Sequence, residues 1–215
     1  SNRIPHSYLC FSPSTNTLMF SGIIKSTGIV RSIQATGSTK RITIASPLAD
    51  ELTIDQSIAH DGICLTVVAI NNGTYEVEVV QETLSKTTFA SMKEGGVVNL
   101  EKSITPTTLL DGHLVQGHVD TTIKCMRIED LIGSWKIQFN LPKEYAGLVI
   151  PHGSICLNGV SLTVANLYPD SFDVAIIPYT FEHTNFKHLL EGNDVNVEFD
   201  LIGKYLLRQA ALRNS

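Results

Sequence analysis

From Met19 onward, hydrophobic and polar positions alternate in short runs. Arg41-Ile42-Thr43-Ile44-Ala45 and Tyr75-Glu76-Val77-Glu78-Val79-Val80 change side with period two, as half-buried strands do. Met19-Phe20-Ser21-Gly22-Ile23-Ile24 reads as a short apolar opening strand. Asn71-Asn72-Gly73 is a tight-turn signal, so Leu65 to Ile70 and Thr74 to Val80 are expected to pair as a hairpin. Gly95-Gly96 then turns the chain into a strand over Val97 to Glu101, and short helices are expected near Pro47 to Leu52, Thr83 to Phe89 and Tyr179 to His188. In the tail, Leu201, Ile202, Tyr205, Leu206 and Leu212 share one side at helical spacing. They predict an amphipathic helix that packs on its own barrel or against another copy.

The pattern is written twice. Asp61-Gly62-Ile63-Cys64-Leu65-Thr66-Val67 returns as Asn158-Gly159-Val160-Ser161-Leu162-Thr163-Val164, a shift of 97 that also carries Thr83 onto Thr180, Phe89 onto Phe186 and Glu101 onto Glu198. Before this motif the shift is 95, which sets Gly22 on Gly117 and Ile23 on His118. A period of this size is too long for a solenoid unit and fits a small domain. Many short strands with turn signals predict an all-β fold of two similar small barrels followed by the helix. The expected limits are an N-terminal extension over 1–18, barrels over 19–110 and 111–200, and a helix and tail over 201–215, with Met19 the natural start. Thr105-Pro106-Thr107 breaks the strand between the barrels.

Composition narrows the partners. The 43% hydrophobic content supplies two cores, while a net charge of −5 with scattered basic residues offers no stripe for a nucleic acid backbone. Cysteines at 10, 64, 125 and 156 form no C-x-x-C pair, which argues against a zinc site or a disulfide framework and for a reducing cytoplasm. No apolar run is long enough for a bilayer, and Ser1 to Leu18 lacks the apolar centre of a secretory signal.

Five stretches in order, Met19 to Ile23, Gly62 to Val67, Glu82-Thr83-Leu84, Gly112 to Asp120 and Asn158 to Val164, together resemble riboflavin synthase. The resemblance implies six-stranded Greek-key-type barrels, a homotrimer, no added cofactor and association with lumazine synthase. It also implies a reaction in which two molecules of 6,7-dimethyl-8-ribityllumazine exchange a four-carbon unit to give riboflavin and 5-amino-6-ribitylamino-uracil. The implied site lies between the first barrel of one subunit and the second of its neighbour. Gly22, Ile23 and Ile24 are expected to line the first pocket with Cys64, Leu65 and Thr66 on one wall and Glu78, Val79, Val80, Gln81, Glu82 and Thr83 on another. The second pocket takes Gly117, His118 and Val119, then Ser161, Leu162 and Thr163, and Ala175, Ile176, Ile177, Pro178, Tyr179 and Thr180.

The chemistry needs a proton removed from a 7-methyl group and an attack at C7, with no metal. His118 is the candidate for proton transfer because imidazole titrates near neutrality; the alternative is a surface histidine. Ser161 and Cys64 hold equivalent places and either would deliver or hold a nucleophile, unless Cys64 is a small buried hydrophobe. Thr163 and Thr66 are read as ligand contacts or plain strand residues, Phe20 as a ring shield or core residue, and Asp200 as an orienting carboxylate or a helix cap. His152 stands where the family commonly has a lysine reaching the neighbour's pocket. The competing reading is a lumazine- or flavin-binding antenna protein without turnover.

Overall fold

The structure is a computed structural model that describes residues 19–213. The expected extension over 1–18, Cys10 and residues 214–215 lie outside the described residues. Strands β1 (Ser26–Thr36), β2 (Thr39–Ala45), β3 (Ser57–His60), β4 (Ile63–Asn71), β5 (Thr74–Val79) and β6 (Val97–Lys102) close into an antiparallel barrel in the order β1-β2-β5-β4-β3-β6. Strands β7 (Thr121–Asp130), β8 (Trp135–Asn140), β9 (Ser154–Leu157), β10 (Val160–Leu167), β11 (Ser171–Ile176) and β12 (Asp194–Phe199) repeat that order. In each, three hairpin-linked strands are followed by one that returns beside the first of them, a Greek key.

Alternation sets the cores. Ile63, Leu65 and Val67 of β4 and Tyr75, Val77 and Val79 of β5 point into the first barrel, as period-two strands require. Short helices α1 (Gln81–Lys86) and α2 (Pro178–His183) follow β5 and β11, each with a 3₁₀ turn behind it at Thr88–Ala90 or Asn185–His188. The change of shift from 95 to 97 falls between β2 and β3. The first barrel has a five-residue 3₁₀ turn there at Pro47–Glu51, and the second a longer one at Lys143–Leu148. The latter was not expected from sequence.

The repeated Asp61-Gly62 and Asn158-Gly159 corners are two-residue turns with φ of 47° and 79°, and 45° and 78°, the left-handed pairs of a type I′ hairpin. They meet each other. A Cβ on Gly62 would stand 2.9 Å from Gly159 N, and one on Gly159 would stand 2.7 Å from Gly62 N. Asn99 Nδ2 donates to Asn158 O and Asn196 Nδ2 to Asp61 O, both at 2.9 Å. The motif therefore joins the barrels at its corner and reaches the candidate site only further along the strand.

Helix α3 (Leu201–Arg213) follows β12. Asp200 caps it, its Oδ1 accepting from Ile202 N at 2.9 Å, a common use of aspartate. No α3 residue is buried, and Ile202, Tyr205 and Leu206 are 63–68% exposed. Gly203 and Leu207 face the 3₁₀ turn at Lys143–Leu148, whereas Ile202, Tyr205 and Leu206 are not spent on the helix's own barrel.

Candidate active site: two clefts with exchanged walls

Each barrel wall opens at one corner. The β4–β5 register runs from Asn71↔Thr74 to Val67↔Val77 and stops, although both strands continue; β10–β11 likewise stops at Val164↔Val174. The openings lie between Cys64 to Thr66 and Glu78 to Val80, and between Ser161 to Thr163 and Ala175 to Ile177. Strand alternation divides these residues. Cys64, Thr66, Ser161, Thr163, Glu78 and Ala175 turn away from the cores, while Leu65, Val79 and Ile176 are core side chains 0–6% exposed. These three residues can therefore offer an opening their backbone but not their side chains. Leu162 is half-buried and packs against the second core.

The walls that complete the openings are exchanged between repeats. Cys64 N donates to Gly117 O at 2.9 Å, and Ser161 N to Gly22 O at 2.8 Å. Val119 packs on the first core and Ile24 on the second. The expected pairing of Gly22, Ile23 and Ile24 with Cys64 to Thr66, and of Gly117, His118 and Val119 with Ser161 to Thr163, is therefore reversed. Glycine is needed at both crossings. Gly117 and Gly22 sit at φ +79° and +75°, and a Cβ on them would stand 2.5 Å from Cys64 Cβ and 2.6 Å from Ser161 Cβ. The arms pair at an isolated bridge, Phe20↔Val115, rather than forming the opening strand expected over Met19 to Ile24. Phe20 is fully buried with Val115, Ala59 and Cys156, so the ring-shield reading gives way to a core role.

Beside the first opening is a hollow of about 190 Å³ lined by Ile63, Glu82, Thr83, Lys86, Thr87, Gly117, His118 and Val119, while Cys64, Thr66 and Glu78 stand outside its lining. Lys86 Nζ pairs with Glu82 at 3.0 Å across one turn of α1, and the exposed His118 faces the same space. Burial pushes the Cys64 thiol up from its ordinary value, a nearby hydrogen bond from Ser57 opposing and Glu198 adding to it. A thiolate nucleophile there is disfavoured at neutral pH. Val80 and Gln81, at the start of α1, are exposed.

The second cleft holds a histidine that the sequence reading passed over. His113 Nδ1 lies 2.7 Å from Ser161 Oγ, and His113 N donates to Ser21 O at 3.2 Å. Burial lowers the His113 pKa, and the charge of Asp200 opposes that shift. Asp200 thus acts electrostatically on His113, while also capping α3, the second of its two expected roles. Around this cleft Tyr179 stacks on His183 at 4.2 Å, Pro178 opens α2, Ile177 is exposed, and Thr180 O accepts from Thr184 Oγ1 at 2.7 Å. His152 is exposed at φ 62°, its N donating to Val164 O at 2.9 Å. A larger hollow of about 670 Å³ lies between the barrels by Asp61, Asn158 and Asn185. Its floor is the interbarrel amide network, and neither Cys64, Ser161, His113 nor His118 reaches it.

A duplicated barrel with two like openings, each bearing hydroxyl or thiol side chains where the strand ladder stops, has two equivalent candidate small-molecule sites. The lumazine binding domain profile matches residues 21–103 and 116–200. Riboflavin synthases of Bacillus amyloliquefaciens and Photobacterium phosphoreum are 37% and 36% identical to the chain, covering 88% of it and 89% and 88% of their own lengths. The chain belongs to the riboflavin synthase family. Crystal structures of LumP complexed with 6,7-dimethyl-8-(1'-D-ribityl) lumazine and with riboflavin superpose with TM-scores of 0.77 and 0.79 at 25% identity, covering 84% of this chain and 98% of theirs.

Proposed function

We propose that this chain is a riboflavin synthase that converts two molecules of 6,7-dimethyl-8-ribityllumazine into riboflavin and 5-amino-6-ribitylamino-uracil, one bound by each type of cleft. The duplicated openings at Cys64–Thr66 and Ser161–Thr163 carry this reading. Holding two reactants side by side replaces a bimolecular encounter, an advantage of about 7 to 11 kcal/mol. General acid–base help is typically worth about 100- to 10,000-fold. Free backbone groups of the split strands read the pyrimidine edge, and Thr66 and Thr163 meet ribityl oxygens. In the second cleft neutral His113 takes the proton of Ser161 as that hydroxyl, or a water in its place, adds to C7; in the first, His118 serves proton transfer at the 7-methyl group.

The clefts of one chain meet their complements on another, in a cytoplasmic homotrimer held by α3. The exposed Ile202, Tyr205 and Leu206 support this, since three large apolar side chains on one helix favour burial between copies. Contacts of His152 with a neighbour's cleft and association with lumazine synthase belong to the same reading. Incubating the purified protein with the lumazine alone and following flavin fluorescence tests the central claim. Flavin should accumulate without any added cofactor. Tight lumazine binding with no flavin formed would instead make the chain a lumazine-binding protein without turnover.

A further inference from the structure

The exchanged walls raise the question of what holds them in place, because each arm leaves its own barrel to cross the other. Two buried glutamates at equivalent positions answer it. Glu101, 2% exposed on β6, accepts from Ser21 N at 2.8 Å, Ser21 Oγ at 2.6 Å and Gly22 N at 2.9 Å. Glu198, 3% exposed on β12, accepts from Gln116 N at 2.7 Å and from Gly117 N and His118 N at 2.9 Å. Each carboxylate thus gathers consecutive backbone N–H groups, which neutral side chains cannot do with both oxygens. Burial raises both carboxyls while these donors hold them down.

We propose that Glu101 and Glu198 are positioning residues that act crosswise. Glu101 belongs to the first repeat and fixes the arm whose Gly22 walls the Ser161 cleft. Glu198 belongs to the second and fixes the arm whose Gly117 walls the Cys64 cleft. Neither touches the substrate space. The assignment rests on the two-cleft reading only for its catalytic meaning; the crossing itself is a property of the protein without substrate.

Cysteine reactivity tests it. Gly117 O accepts from Cys64 N at 2.9 Å, so the Cys64 alkylation rate, compared at the high-pH plateau where the thiolate is fully formed and the effect of the Glu198 charge on the thiol drops out, reports the arm held by Glu198. Ser161→Cys, in a Cys64→Ser background, reports the arm held by Glu101. Cys125 and Cys156 are 1% exposed, and peptide mapping by mass spectrometry separates them from the reporters. With iodoacetamide as probe, Glu198→Gln should speed labelling of Cys64 about tenfold or more, the scale of one charge-assisted hydrogen bond, and leave the Ser161→Cys reporter within about twofold. Glu101→Gln should do the reverse. Ser21→Ala, which removes only the hydroxyl bond to Glu101, should show the same crossing at smaller size if the glutamine variants fold poorly. Parallel acceleration of both reporters, acceleration in the mutated residue's own barrel, or no acceleration in any variant overturns the proposal. None of these outcomes depends on flavin formation, so a protein that bound lumazine without turnover would still show the crossing.

Discussion

Asp61→Asn is the substitution for which the structure makes the most quantitative statement. Asp61 is 3% exposed at the corner where the barrels meet, and its Oδ1 accepts from Asn99 N at 2.7 Å and Asn185 Nδ2 at 2.9 Å. No cation is among its hydrogen-bond or ion-pair partners in the described residues, and burial pushes its carboxyl from 3.8 up to about 8. Below about pH 4 the group is protonated in folded and unfolded chains alike. Above that, the unfolded chain ionises while the folded one holds its proton, so stability falls with rising pH until about pH 8. The slope is about 1.4 kcal/mol per pH unit, or roughly 3 kcal/mol between pH 5 and 7 before relaxation of the site reduces it. The second repeat already carries the neutral isostere: Asn158 Oδ1 accepts from Asn196 N at 2.8 Å in the equivalent bond. Urea unfolding of both proteins at pH 5, 6, 7 and 8, followed by circular dichroism, isolates the residue, because every other titrating group cancels in the difference. Asp61→Asn should gain on the parent steadily across that range. A difference independent of pH, or one that shrinks as pH rises, would mean that Asp61 is ionised in the folded protein.

Three further outcomes are expected. His113→Gln should lower turnover about 100-fold or more with little change in lumazine binding measured by fluorescence, the range of lost general-base help; an equal loss in both would reduce His113 to a binding contact. Because burial lowers the His113 pKa and Asp200 raises it, the acid limb of the pH–rate profile should move to lower pH in Asp200→Asn, and a shift to higher pH contradicts the assigned coupling. Leu206→Glu, on the exposed side of α3, should reduce the assembly to monomers in sedimentation and abolish turnover, while single-chain stability changes by less than about 1 kcal/mol, as is usual at exposed positions.

Much of the fold was legible because its signals are local. The alternation at Arg41–Ala45 and Tyr75–Val79 and the Asn72-Gly73 turn need only neighbouring residues to be read, and the shifts of 95 and 97 only the sequence laid against itself. The candidate site was legible in part. Cys64, Thr66, Ser161 and Thr163 lie beside the split strands, but a shift of 95 says that Gly22 and Gly117 are equivalent and not which barrel each arm covers. That choice is made by contacts such as Ser161 N to Gly22 O, between residues far apart in sequence. His113 was missed because the shift of 95 sets it against Leu18, which shares none of its chemistry, so the comparison of copies gave it no weight. Alternation further tells that Leu65, Val79 and Ile176 turn their side chains into the cores and leave only backbone at the openings.

The arm exchange also sets an order of assembly. As the chain leaves the ribosome, the first barrel is complete at Lys102 while the wall of its cleft, Gly117 to Val119, has yet to be made; the wall of the second, Gly22 to Ile24, exists before the barrel it will cover. Domains generally fold as units during synthesis, the N-terminal one first. The first barrel therefore waits with its split edge open, and the second closes onto a waiting arm. Separating the repeats would yield two barrels, each carrying the other's missing wall.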